Sequence, residues 1–149
     1  MKKTISLKVN GGERSAEVEA RMTLLELVRD EFGLTGAKLG CDIQVCGACT
    51  LLVDGKPVSA CSVLAVDVDE AAVETIEGLS KKDQLHPLQE AFMEFGALQC
   101  GYCTSGFILT ARRCSMNVRG RRMSRFAITW RATFAAAVVI TRSCKRLRT

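Results

Sequence analysis

Residues 39–61, LGCDIQVCGACTLLVDGKPVSAC, carry Cys41, Cys46, Cys49 and Cys61. The first three are spaced C-x4-C-x2-C, the plant-type spacing of thiolates on a 2Fe-2S cluster, with the fourth ligand supplied from further along. Four thiolates must converge on a small inorganic core, so a short loop has to fold back on itself and receive one ligand from a neighbouring element. Gly40 and Gly47 are where the backbone can approach closely or take φ > 0 without a Cβ clash. After Cys49, Thr50-Leu51-Leu52-Val53 reads as a strand, Asp54-Gly55 as a tight hairpin turn, and residues 57–59 as the return that brings Cys61 beside the loop. A structural zinc site is the competing chemistry for four cysteines. Zinc sites favour paired short CxxC knuckles, whereas here three ligands crowd one loop.

Outward toward the N-terminus, Ile5, Leu7 and Val9 alternate with polar residues, Asn10-Gly11-Gly12 interrupts, and alternation resumes around Ala16 and Val18, which predicts a hairpin. Thr23 with Glu26 forms a capping box, and Leu24, Leu25, Leu27, Val28 and Phe32 mark the buried face of a helix ending near Gly33. Beyond the cysteine hairpin, residues 72–76 read as a strand closed by Glu77-Gly78. Two strands, a helix crossing the sheet and further strands amount to a small α+β domain over residues 1–78.

From Ser80 the periodicity becomes helical. Pro87 sits in a first turn, Leu88, Ala91, Phe92 and Phe95 share a face, and Gly96 ends the helix. His86, the single histidine, reads as a first-turn residue and not as a ligand. Next come Gln99, Cys100, Gly101, Tyr102 and Cys103, then a second helix through Phe107, Ile108 and Leu109 to Ala111. Taken alone, Cys100 and Cys103 suit a redox pair or buried thiols as well as metal ligation.

CDIQVCGACTLLVDGKPVSAC followed by QCGYCTSGFILTA closely resembles the iron-sulfur subunit of the molybdenum hydroxylases, the xanthine dehydrogenase, aldehyde oxidoreductase and carbon monoxide dehydrogenase group. The likeness runs from about residue 5 to residue 111. It implies a β-grasp ferredoxin-like domain followed by an all-α, four-helix type domain, each holding one 2Fe-2S cluster. By that resemblance Cys41, Cys46, Cys49 and Cys61 hold the flavin-side cluster, Cys100 and Cys103 supply half of the molybdenum-side site, and Gln99 and Cys100 stand near the molybdopterin of a partner. It further implies an electron-transfer subunit without catalytic residues of its own. Electrons would pass from a molybdopterin-binding large subunit through the clusters to an FAD-binding medium subunit. The alternative is a free-standing ferredoxin-like carrier, which would need only the first domain.

The likeness stops at residue 111. The family closes its second site with a CRC motif, and this chain has none; its remaining cysteines, Cys114 and Cys144, are not spaced as replacements. Residues 112–149 hold ten Arg, one Lys and no acidic residue, whereas residues 1–111 hold three Arg, seven Lys and all 16 Asp and Glu. The net charge of +5 thus divides into −6 before residue 112 and +11 after it. Permitted codons for residues 129–149, TWRATFAAAVVITRSCKRLRT, can be chosen so that dropping the first two bases reads LAGNLCRCGGYHAIVQAIED, which restores the missing motif. The same frame over residues 113–128 can read LLDERPGPTDEPIRDH. The tail is therefore expected to be out of frame from near Arg112 or Arg113, poorly ordered, and without a role for Trp130. The helical domain would then begin at 79 and be incomplete after about 111.

An arginine-rich tail alone would suggest phosphate binding, but without interleaved aromatics or a recognisable fold no nucleic-acid partner is expected. The start, Met1-Lys2-Lys3, runs into a strand pattern with no apolar segment of signal-peptide type, and no apolar run approaches a membrane span. A cytoplasmic location is expected, where cysteines serve as ligands or reactive groups more than as disulfides.

Overall fold

Alternation of apolar and polar residues puts Ile5, Leu7 and Val9 on one face of β1 (Lys2–Val9), and all three are buried. In the computed structural model, which describes residues 2–81 and 84–117 with side chains through 113, β1 pairs antiparallel with β2 (Gly12–Glu19). The turn between them places Asn10 at φ 51° and Gly11 at φ 87°, a combination whose twist matches that of the strands. Thr23 caps the next helix as expected: its hydroxyl accepts from the Glu26 N–H at 3.2 Å, and Glu26 Oε2 accepts from the Thr23 N–H at 2.7 Å. Such a cap contributes about 1 kcal/mol. The helix begins as α1 (Leu24–Glu26) and loosens into a π turn (Leu27–Glu31), with Gly33 at φ 67° just beyond it. Leu24, Leu25, Leu27 and Val28 are all buried against the sheet.

β3 (Thr50–Val53) and β4 (Lys56–Ser59) form the expected hairpin, with Asp54 and Gly55 at φ 49° and 70°. The expected strand at 72–76 is shorter: β5 (Ala72–Glu74) gives way to a 3-10 turn, Ile76–Gly78. β5 lies parallel to β1 and antiparallel to β3, and the sheet runs β2-β1-β5-β3-β4. Pro57 is tolerated because β4 is an edge strand, where a missing N–H leaves no ladder bond unmade. This mixed five-stranded sheet with a helix across it is the ferredoxin-like α+β part of the fold.

Two helices of the following part are described. α2 (Pro87–Glu94) begins with Pro87 at its first position and buries Leu88 and Phe92. α3 (Thr104–Asn117) buries Phe107, Ile108 and Ala111 with them in a second core, while Leu109 enters the core of the sheet. α3 packs against β3, β4 and the Ile76–Gly78 turn, so this helix carries much of the contact between the two parts. Residues 118–149 lie outside the described residues, as do the expectations made for them, Cys144 and Trp130 included.

His86 is the N-cap of α2 and not a first-turn residue. Its Nδ1 accepts from the Leu88 N–H at 3.2 Å, and its own N–H donates to Gln89 Oε1 at 2.8 Å. Only the neutral imidazole can accept at Nδ1. Burial, reinforced by the Arg112 guanidinium and partly offset by Glu90, holds its pKa below the ordinary imidazole range. The unfolded chain therefore takes up this proton first, so the cap's contribution is complete above about pH 6.5 and is lost as pH falls toward the folded-state pKa. Urea unfolding midpoints should fall from pH 7.5 to pH 5.5. His86→Asn, whose side chain caps without titrating, should reduce that fall; an unchanged pH dependence would rule out the linkage.

Candidate iron-sulfur centre

The loop between α1 and β3 owes its shape to residues in the left-handed region. Asp42 (φ 58°), Gln44 (φ 62°) and Gly47 (φ 70°) take positive φ, while Ile43 and Val45 between them do not. This alternation turns successive peptide N–H groups toward one side, a concavity suited to anions and to iron-sulfur cores. The N–H groups of Val45 and Cys46 both reach Cys41 Sγ, each at 3.3 Å. Donation from the Ile43, Cys46 and Val45 amides lowers the Cys41 thiol to about 7, so its thiolate is ready for a metal.

Gly40 and Gly47 divide the work expected of them. Gly47 supplies the positive φ, while a Cβ on Gly40 would stand 2.7 Å from Cys46 Sγ and would push that sulfur from its place. Cys41 and Cys46 lie on the outer part of the loop, Cys46 exposed and Cys41 partly so, and the Cys46 side chain adds slightly to the lowering of the Cys41 thiol.

Cys49 and Cys61 form the inner pair. Cys49 directly precedes β3, and the β3–β4 hairpin returns the chain to the 3-10 turn Ala60–Ser62 that holds Cys61. Both are buried, and the Cys61 side chain helps to raise the Cys49 thiol. Burial raises the Cys49 thiol to about 11, against the pull of a Cys61 backbone hydrogen bond, so only bound metal would make it a thiolate at neutral pH. Among the described residues no group of three or more His, Cys, Asp or Glu converges as a ready site for one ion. Two thiol pairs, one outer and one inner, suit a core of two irons with two sulfurs each better than a single tetrahedral zinc. The donor set, the inward N–H groups and the side-chain-free floor at Gly40 all fit a 2Fe-2S core.

Cys100 and Cys103 stand on the segment entering α3, Cys100 exposed and Cys103 partly buried against the second core. Gln99 is exposed beside Cys100. The described residues bring no further cysteine to this pair, and Cys114 carries no side-chain description. What spacing could not reveal is how near the two motifs lie. Tyr102 OH donates to the Leu39 carbonyl at 2.6 Å, and a Cβ on Gly106 of α3 would fall 2.1 Å from the Gly47 carbonyl oxygen. Tyr102 and Gly106 stand within the QCGYCTSGFILTA motif, but these contacts could not be read from it because their partners are far away along the chain.

Replacing Cys46 or Cys61 by Ser should remove most chain-bound iron and the visible absorption of the purified protein. Iron retained at the wild-type level in both variants would exclude the four-cysteine site. Colourless wild-type protein with one zinc would favour the mononuclear alternative.

The sequence matches the family described as 2Fe-2S iron-sulfur cluster binding domain over residues 7–80. It matches the 2Fe-2S binding domain family over residues 75–125, past the change of composition at 112. It is 47% identical over 108 residues to the 6-hydroxypseudooxynicotine dehydrogenase complex subunit beta of Paenarthrobacter nicotinovorans, covering 72% of this chain and 68% of that protein. It is 48% identical over 109 residues to the nicotinate dehydrogenase small FeS subunit of Eubacterium barkeri, covering 73% of this chain and 69% of that one. A crystal structure of quinoline 2-oxidoreductase from Pseudomonas putida 86 matches with a TM-score of 0.88 at 36% identity, covering 99% of this chain and 96% of the matched chain. Two cysteine motifs in one order, a ferredoxin-like sheet joined to a helical part, and these relatives agree: the chain belongs to the 2Fe-2S iron-sulfur subunits of the molybdenum hydroxylases, which transfer electrons within a larger oxidoreductase.

Proposed function

We propose that Cys41, Cys46, Cys49 and Cys61 hold one 2Fe-2S cluster in this chain and that the chain relays electrons between a molybdopterin-binding subunit and an FAD-binding subunit. The observation that carries the reading is the loop whose inward N–H groups meet the Cys41 sulfur beside two thiol pairs. Such a cluster supplies one-electron reduction and oxidation when bound, and its potential follows hydrogen bonds to sulfur and exposure. The residues act as holders and tuners: Val45 and Cys46 donate to sulfur, while buried Cys49 and Cys61 keep water from the inner side. Ile43 and Val45 expose 70% and 78% of their surface around the outer pair, which suits a face covered in a complex. On this reading the flavin partner meets the outer loop, and the molybdopterin partner meets Gln99 and Cys100.

The domain division belongs to the same proposal: residues 1–78 as the ferredoxin-type domain, 79–111 as the start of the helical one, and 112–149 as a tail read out of frame. The abrupt change from lysine to arginine, the loss of every acidic residue and the recoverable CRC motif support the shift. Cys100 and Cys103 would then offer two thiolates where a cluster needs four. Among the described residues no helix is long and apolar enough to cross a membrane, and reduced thiol ligands suit the cytoplasm.

Iron and acid-labile sulfide per chain, with an EPR spectrum after reduction, test the site assignment. Two irons and one signal are expected; four irons and two distinct signals would show a complete second site. Sequencing the encoding DNA tests the tail, since a single intact frame with no CRC-encoding alternative would sink the shift. Co-purification with molybdopterin- and flavin-containing chains tests the partners, and a soluble, active lone chain would favour the free carrier.

A further inference from the structure

The two ends of α3 are held by different means. Its later turns are anchored in the sheet part by Leu109, 1% exposed in that core, and by Arg112, whose guanidinium lies 2.8 Å from the Glu74 carboxylate of β5. Its first turn, directly after Cys103, rests on the cysteine loop instead. There Ser105 Oγ donates to the Gly36 carbonyl at 2.7 Å, and Gly106 presses its backbone against Gly47.

Gly36 is gripped through both of its backbone groups. Its N–H donates to Glu77 Oε1 at 2.7 Å, and the other carboxylate oxygen of Glu77 accepts from the Thr75 hydroxyl at 2.6 Å. Buried Thr75 is fixed in turn by Asn10 of the first hairpin, which accepts from the Thr75 N–H at 2.8 Å and donates to its Oγ1 at 2.9 Å. The Gly36 carbonyl also receives the Lys38 ammonium at 3.3 Å, and a Cβ at this position would stand 2.2 Å from Ile76 Cγ2. A charged acceptor on one side and a hydroxyl donor on the other tie the first hairpin, the 75–78 connection, the cysteine loop and α3 into one network.

We propose that the backbone of Gly36, its N–H on the Glu77 carboxylate and its carbonyl on the Ser105 hydroxyl, is the joint that sets how far the Cys100–Cys103 motif stands from the Cys41–Cys49 loop. Glu77 and Ser105 are then positioning residues for electron passage across that gap. This rests on reading the loop as a cluster site. Losing the joint leaves the first turn of α3 held by the Tyr102–Leu39 hydrogen bond and the Gly106–Gly47 contact, while Leu109 and Arg112 still hold the later turns.

Tyr102 is the sole tyrosine of the chain, so incorporation of 3-fluorotyrosine gives one fluorine NMR signal at the gap. In the full-length, cluster-loaded chain, reduction should broaden this line through the nearby unpaired electron. Ser105→Ala and Glu77→Ala should each measurably reduce that broadening while keeping the iron content and EPR signal, and Ser105→Thr, which keeps the hydroxyl, should restore it. Broadening equal to wild type in both alanine variants overturns the joint. Wild-type protein without iron would instead overturn the site assignment. The joint would then be read from the iron-free chain: a signal displaced from that of free fluorotyrosine, moving toward it in both alanine variants, supports it, and an unmoved signal overturns it.

Discussion

Sulfur that carries charge must be met by hydrogen-bond donors, and at Cys41 the donors are backbone. Turning the Val45 and Cys46 N–H groups onto Cys41 Sγ requires left-handed conformations at Asp42 and Gln44. An L-residue in that region costs about 1–2 kcal/mol. A Gln there is a local expense that neighbouring structure must hold in place, as at many functional sites. The rest of the molecule can be understood as that holding structure.

The sheet provides rigidity at the inner pair and α3 provides it along the loop. Thr50 begins β3 one residue after Cys49, so the ladder with β4 and β5 fixes where that thiol points. Cys61 arrives at the end of the return strand and shares the core with Leu51, Ala60 and Ala65. On the other flank, Arg29 donates to the Thr35 and Ala37 carbonyls at 3.0 and 2.5 Å, steadying the approach to the loop. The outer pair stays near the surface, where a relay has to be reached. Rigid support on one side and exposure on the other are what fast, low-reorganisation electron transfer asks of a protein.

Much of this was legible in local patterns. The Asp54-Gly55 turn, the Thr23–Glu26 capping box, the Pro87 helix start and the alternation in β1 depend on residues a few positions apart, and each formed where expected. Where the local reading slipped, longer-range packing was the cause. The strand expected through Ile76 ends at Glu74, because Thr75 turns to bond Asn10 and the chain must bend toward α2. His86 serves as the cap of α2, a role its identity does not announce, since imidazole is an uncommon cap acceptor.

By itself the sequence determined the order of elements, the family and the identity of four candidate thiolates, because spacing within a loop and periodicity within an element are local properties. It also exposed the break at residue 112, since composition needs no fold to be read. Only the tertiary structure decided that the thiols stand as an outer and an inner pair in contrasting surroundings, and that the Cys100–Cys103 segment lies against the first loop. Gly36 meets Glu77 across 41 residues and Ser105 across 69. Contacts at such separations leave no periodic trace in the chain; they exist only once the sheet and α3 have packed.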